Sequence, residues 1–329
     1  MAEPREKSVP GPRWSLRRKA KRAEFEEFAH ATAEEIKAQF EATKAQIDAT
    51  NEKIEARTGR NLIAAILIGL ALGLAMLFSL IVIKELFMLF AGALIAFTAF
   101  ELASALRFAG RNVPRLATVL AALATVPAAF YLGDDGKWLA TLAGVAFVAL
   151  WRIAELVRPS HRTSARDLLT DVAAGTFVHL YVPFLASFAV LLAAQDGGQW
   201  WTLAFLITII SIDTGAYASG LLFGKHPMAP RISPKKTWEG FAGSVVVAVI
   251  AGVLLAVLML GQPWWIGVIF GVTMVFTGTV GDLTESLIKR DLGIKDISTW
   301  LPGHGGFLDR LDSILPSAAA AYILFYLFA

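Results

Sequence analysis

The 329-residue sequence is 56% hydrophobic and only 17% charged, and apolar windows of about twenty residues recur along it, which excludes an ordinary soluble protein. With no cysteine it has no disulfide framework, no thiolate metal site and no cysteine nucleophile. A net charge of only +3 gives no support for nucleic-acid binding, despite a pI near 9.1. The fold class that follows is all-α, a polytopic integral membrane protein.

Residues 1–60 form a charged extension that opens with RWSLRRKAKR and lacks the apolar core of a secretory signal. From residue 23 to 57 there is neither Pro nor Gly, and Phe25, Phe28, Ile36, Phe40, Ile47 and Ile54 recur at helical spacing. This predicts a cytoplasmic amphipathic helix lying on the membrane or on its own protein. A short self-associating coil is the alternative, because Phe40, Ile47 and Ile54 are seven apart, although Thr43 and Thr50 interrupt the seam.

Nine apolar segments follow, at 62–83, 86–106, 116–132, 138–156, 168–194, 200–223, 238–260, 264–280 and 314–328. Residues 61–329 are thus read as one transmembrane catalytic domain. Its connections alternate in charge. Arg107, Arg111 and Arg115 mark one basic loop, and Arg152, Arg158, Arg162 and Arg166 mark a second. Lys225, Arg231, Lys235 and Lys236 mark a third, and Lys289, Arg290, Lys295 and Arg310 a fourth. The intervening connections, 84–85, 133–137, 195–199 and 261–263, are short and carry no excess of positive charge. Positive charge stays inside, so the N-terminus and the basic loops are expected in the cytoplasm and the C-terminus outside the cell's inner (plasma) membrane. Gly69/Gly73 and Gly267/Gly271 have the spacing that lets helices approach closely.

Two polar stretches, 211–240 and 281–312, fall on that cytoplasmic side. The second runs GDLTESLIKRDLGIKDISTWLPGHGGFLDRLD. Carboxylates at Asp282, Asp291, Asp296, Asp309 and Asp312 alternate with Lys289, Arg290 and Lys295 around a His304-Gly305-Gly306 turn. Carboxylates suit a hard divalent cation, lysines and arginines neutralise phosphate oxygens, and glycines let a backbone approach closely. At helical spacing Asp282, Glu285 or Ser286, and Lys289 share one face. Asp282 lies near the inner end of a span, where an unpaired charge costs about 2 to 3 kcal/mol on insertion scales, so it is expected to face a cavity or a partner. In the first stretch, Lys235 and Lys236 offer charge just ahead of a helix N-terminus, itself favourable to anions. Asp213 lies within the preceding apolar run, where metal or substrate contact and an internal hydrogen-bonded role are both open. Glu101, Arg152, Glu155, Asp171 and His179 interrupt or edge spans and are expected to pair with each other or line a cavity.

The second stretch resembles the signature of the phosphatidate cytidylyltransferases, the CDP-diacylglycerol synthases: Ser286, Lys289-Arg290, Lys295-Asp296, Pro302, His304-Gly305-Gly306 and Asp309-Arg310-Leu311-Asp312. The SPKKTWEG segment, Ser233 to Gly240, is similar to a second pattern of that family. The resemblance implies an enzyme joining CTP to phosphatidic acid, with release of pyrophosphate and a requirement for Mg2+, and a homodimer. Under it Asp282 and Asp309, assisted by Asp312 or Asp296, would hold one or two metal ions. Lys289, Arg290 and Lys295 would neutralise phosphate, Ser233, Lys235 and Lys236 would bind the nucleotide or lipid phosphate, and Gly305 and Gly306, beside His304, would admit it. A CTP-dependent lipid kinase would use the same parts, and charges within spans also occur in transporters.

Overall fold

In the computed structural model the apolar segments form long α-helices, the one way besides a closed barrel in which a chain satisfies its backbone hydrogen bonds within lipid. The structure describes residues 62–295, 297, 298, 300 and 305–329, together with Lys37 and Glu41. The expected N-terminal amphipathic helix, Asp296 and His304 lie outside the described residues.

Helices α1 (Leu62–Val82) and α2 (Lys84–Phe108) are separated only by Ile83, whose extended backbone breaks the run. Next, α3 (Arg115–Glu155) has 41 residues. At 1.5 Å per residue a straight helix of that length would be about 60 Å long, twice an apolar bilayer core. Gly133, at φ 66° and ψ −147°, turns the chain in the positive-φ half of the backbone map, where a side chain is disfavoured. The two halves then fold back on each other, so that Ala117 and Ala121 pack with Val148 and Trp151. This one element therefore contains two of the sequence candidates, 116–132 and 138–156.

Helix α4 (Ala165–His179) runs through a single wide turn, Leu180–Phe184, into α5 (Leu185–Ala194). Pro183 lies inside that turn, where its missing N–H disturbs the regular ladder. Helix α6 (Gly198–Phe223) leads to a small antiparallel hairpin, β1 (Pro227–Ala229) and β2 (Ser233–Thr237), paired Pro227 to Thr237 and Ala229 to Ser233. The sequence reads there as a stiff loop; the two strands are the only ones among the described residues. Helices α7 (Trp238–Leu258) and α8 (Trp264–Asp291) follow, then the short α9 (Leu308–Leu311) and α10 (Ile314–Phe328).

Among the described residues seven helical stretches are long and apolar enough to cross a membrane, with Leu67–Val82 apolar but shorter. The protein is thus a helical multi-pass membrane protein. Its interior has two main clusters. One joins α5, α6, α8 and α10 through Leu191, Phe205, Phe270 and Tyr322. The other joins α2, α3, α4 and α10 through Leu102, Val126, Val178 and Leu315. The small-residue spacing divides in its outcome. A Cβ on Gly267 would fall 2.5 Å from Gly252 O, so α7 and α8 do touch there, whereas a Cβ on Gly73 would meet nothing within 4 Å from another element.

Arg152 and Asp171 do pair, fully buried, at 2.9 Å. Asp171 also accepts from Asn112 N at 2.8 Å and so ties α3, α4 and the 109–114 connection together.

Candidate functional site

The SPKKTWEG segment divides into residues that build the hairpin corner and residues that face outward from it. Thr237 caps α7, its Oγ1 accepting from Gly240 N at 3.1 Å. Glu239 accepts from the backbone N–H groups of Lys225 and His226 at 3.1 and 3.2 Å and lies 2.5 Å from His226 Nδ1, fixing where the chain leaves α6. Gly240 lets α7 approach α6, for a Cβ there would sit 2.9 Å from Ala216 O. With Thr237, Glu239 and Gly240 committed to the corner, Lys235 and Lys236 are left to point into two adjoining cavities.

Lys236 forms an ion pair with Asp282 of α8. The cavity at this pair has a volume of about 380 Å³ and is walled by Asp213, Tyr217, Leu221, Lys235 and Phe241. Tyr217 and Leu221 are largely exposed, so one wall is apolar and open to the outside of the bundle. The second cavity, about 290 Å³, is lined by Ser233, Lys235, Ser286, Lys289, Arg290 and Lys295. Four cations therefore converge on it from β2, from the end of α8 and from the turn beyond. Lys235 borders both cavities. Arg290 also donates from Nε to Ile232 O at 3.2 Å and holds the hairpin against α8.

Below these cavities the carboxylates fall into two sets. Lys289 bridges Glu285 at 2.6 Å and Asp309 at 2.9 Å, and Asp309 accepts from Gly306 N at 2.7 Å. Gly305, with φ +86°, shapes the turn that presents that N–H. Asp312 instead lies with Asp282, Asp213 and Lys236 in one electrostatic neighbourhood. Gly281 makes this possible: a Cβ there would be 2.2 Å from Asp312 O, so α8 and the segment before α10 are in backbone contact.

The structure thus places Asp282 and Asp309, which the sequence reading pairs on one metal, against different lysines. Among the described residues no three His, Asp or Glu side chains are grouped closely enough to enclose a metal ion. The donors present are nonetheless all hard oxygen ligands, and Asp213, Asp282 and Asp312 share one field, a chemistry that fits a divalent cation such as Mg2+.

Two positions gain a role that their sequence context does not show. Glu101, buried in α2, accepts from Phe307 N at 3.0 Å and Leu308 N at 2.9 Å and also takes the Ser298 hydroxyl. It caps α9 and sets the glycine turn in place. Tyr181, in the wide turn before α5, is buried with no hydrogen-bond partner for its hydroxyl among the described residues and lies in the field of Asp312, Glu285 and Asp282. The only sequence signal for either is a polar residue in an apolar run. His179 packs against Gly144, and neither ring nitrogen has a partner among the described residues, so the expected pairing with another polar side chain is not found there.

Residues 63–328 match the cytidylyltransferase family. Phosphatidate cytidylyltransferase of Mycobacterium tuberculosis (strain H37Rv) is 41% identical over 275 residues, covering 82% of this chain and 84% of that protein. The enzyme of the same name from Mycobacterium leprae is 37% identical over 276 residues, 82% of this chain and 88% of the relative. One from Brucella suis is 38% identical over 158 residues, 48% and 57% of the two chains. The chain belongs to the cytidylyltransferase family and is a nucleotidyltransferase.

Proposed function

We propose that this protein transfers the cytidylyl group of CTP to phosphatidic acid, forming CDP-diacylglycerol and pyrophosphate for phospholipid synthesis. The observation that carries this reading is the pair of cavities joined at Lys235, one cationic and one with an apolar open wall. A reaction between a water-soluble polyanion and a lipid anion needs those two surfaces side by side.

The cationic cavity suits the triphosphate. Lys289, Arg290 and Lys295 offset its charge while Ser233 and Ser286 supply hydroxyls. The apolar wall at Tyr217 and Leu221 suits the glycerol and the first methylenes of the lipid, whose phosphate then lies by Lys236. A phosphatidate oxygen attacks the α-phosphorus of CTP, the new P–O bond forms as the bond to the β-phosphate oxygen breaks, and pyrophosphate leaves with that electron pair. Both reactants are anions, so catalysis consists mainly of positioning and charge neutralisation. Lysines at 235 and 236 on β2 and at 289 on α8 do this. The lipid phosphate is already ionised, so no side chain has to remove a proton. Asp282, with Asp312 and Asp213 in the same field, would hold Mg2+, while Asp309 would orient Lys289. When bound, the ion supplies countercharge to the phosphates.

Nine crossings place the N-terminus, both polar stretches and the active site on the cytoplasmic side and the C-terminus outside, with a homodimer as the assembled form. The charge alternation of the loops supports this orientation. Retention of all activity after deletion of residues 1–58 would confine that segment to localisation or assembly.

The test is to incubate purified protein with Mg2+, phosphatidate and CTP labelled in the cytidine. Label appearing in the lipid extract supports the proposal. Free CDP with a phosphorylated lipid alcohol would make the protein a CTP-dependent kinase, and solute flux without lipid turnover would make it a transporter.

A further inference from the structure

A third cavity, of about 800 Å³, lies apart from the two described above, where the end of α2, the start of α3 and the end of α3 meet. Three arginines reach it from three segments: Arg107 from α2, Arg115 from the start of α3 and Arg158 from the connection after α3. None of them pairs with a carboxylate among the described residues. Arg152, close by, does have its carboxylate in Asp171 and is not part of the lining. The single acid of the cavity, Glu155, accepts from Trp151 Nε1 at 3.3 Å and faces His161 at 3.6 Å. The lining therefore carries an excess of fixed positive charge. Its other walls are Phe100, Val119, Trp151 and Leu116, the last 60% exposed on the outside of the bundle.

Arginines that cannot lose their charge, set at the end of apolar spans beside an exposed leucine, match an anionic lipid: phosphate at the rim, acyl chains along the wall. A soluble anion would use the charge and leave the apolar wall unused. The cavity also touches the active-site turn. Arg115 lies 5.4 Å over the Phe100 ring, and Phe100 stacks on Trp300 at 5.5 Å. The next residue, Glu101, holds Phe307 and Leu308.

We infer that Arg107, Arg115 and Arg158 form an accessory site for the headgroup of an anionic phospholipid, distinct from the substrate cavities and adjoining the turn that carries Asp309. The site belongs to the described geometry and does not depend on which reaction the protein catalyses.

The experiment is native mass spectrometry of the full-length, detergent-solubilised protein titrated with phosphatidylglycerol or phosphatidylcholine. One tight adduct is expected with phosphatidylglycerol and none with phosphatidylcholine. Each arginine near a charged surface contributes on the order of fivefold, so R115Q/R158Q should weaken the adduct roughly thirtyfold. R115K/R158K, keeping the charge, should retain most of it and shows that the loss is not misfolding. D282N, which alters the substrate cavity, should leave it unchanged. Equal affinity in wild type and R115Q/R158Q overturns the inference, as does loss of the adduct in D282N. Displacement by millimolar glycerol 3-phosphate would make it a free-phosphate site, and an adduct seen only after removal of residues 1–58 would make the N-terminal segment the occupant; either result also overturns it.

Discussion

Glu101 in α2 holds the backbone N–H groups of Phe307 and Leu308, 206 and 207 positions later in the chain, and so joins the first part of the bundle to the turn that carries Asp309. Hydrogen bonds to a charged acceptor are worth about 1.5 to 3 kcal/mol each. Glu101→Ala should therefore lower kcat by more than tenfold while the protein still accumulates in membranes. Glu101→Gln, which keeps one carbonyl acceptor, should fall between. Membrane abundance by immunoblot, beside turnover, checks both; a fall in abundance with unchanged specific activity would reduce Glu101 to a folding role.

Asp282 faces Lys236 and Asp309 faces Lys289. Removing either carboxylate charge with Asn should reduce turnover by about 10²-fold or more, the range for losing one preorganised electrostatic group. Chelation with EDTA should give a comparable loss that Mg2+ reverses. Full activity in D282N would remove that residue from the charge-handling set.

Arg290 and Lys295 line the cationic cavity without touching Asp282 or Asp309. Their replacement by Gln should raise KM for the nucleotide by roughly tenfold per charge and leave kcat nearly unchanged, because the contact is made in ground and transition states alike. Steady-state kinetics with lipid held saturating separates the two parameters.

Arg152 and Asp171 form a fully buried pair at 2.9 Å. Asp171→Ala strands the guanidinium and should destabilise the protein by about 3 to 5 kcal/mol. R152L/D171L removes both charges and should be less harmful than either single change. Thermal unfolding in detergent measures this, and additive losses in the double variant would show that the two charges do not depend on each other.

The helices were legible because lipid leaves an apolar run few alternatives, and the residues of both polar stretches were legible from their mixed charge. Arg152 and Asp171 were legible as a possible pair for the same reason: two opposite charges in apolar surroundings have to find each other. Partnership over long distances was not. That Glu101 meets Phe307, or that Asp312 and not Asp309 shares the field of Asp282, depends on how α2, α8 and α10 pack and leaves no spacing in the sequence. The corner built by Thr237, Glu239 and Gly240 was hidden differently. Its residues belong to the same short segment as Lys235 and Lys236, and sequence proximity does not separate scaffold from substrate contact.

The turn after α8 is polar in composition, yet rings hold it in place: Phe307 stacks on Phe97 at 5.0 Å, and Trp300 lies between Phe97 and Phe100 at 6.0 and 5.5 Å. Ring contacts do not respond to counterions, whereas the attraction proposed between phosphate and Lys235, Arg290 and Lys295 would. High ionic strength should consequently empty the nucleotide pocket while leaving its floor where it is. Inhibition by salt should then raise KM for the nucleotide and reverse on dilution, which steady-state kinetics at graded ionic strength would check.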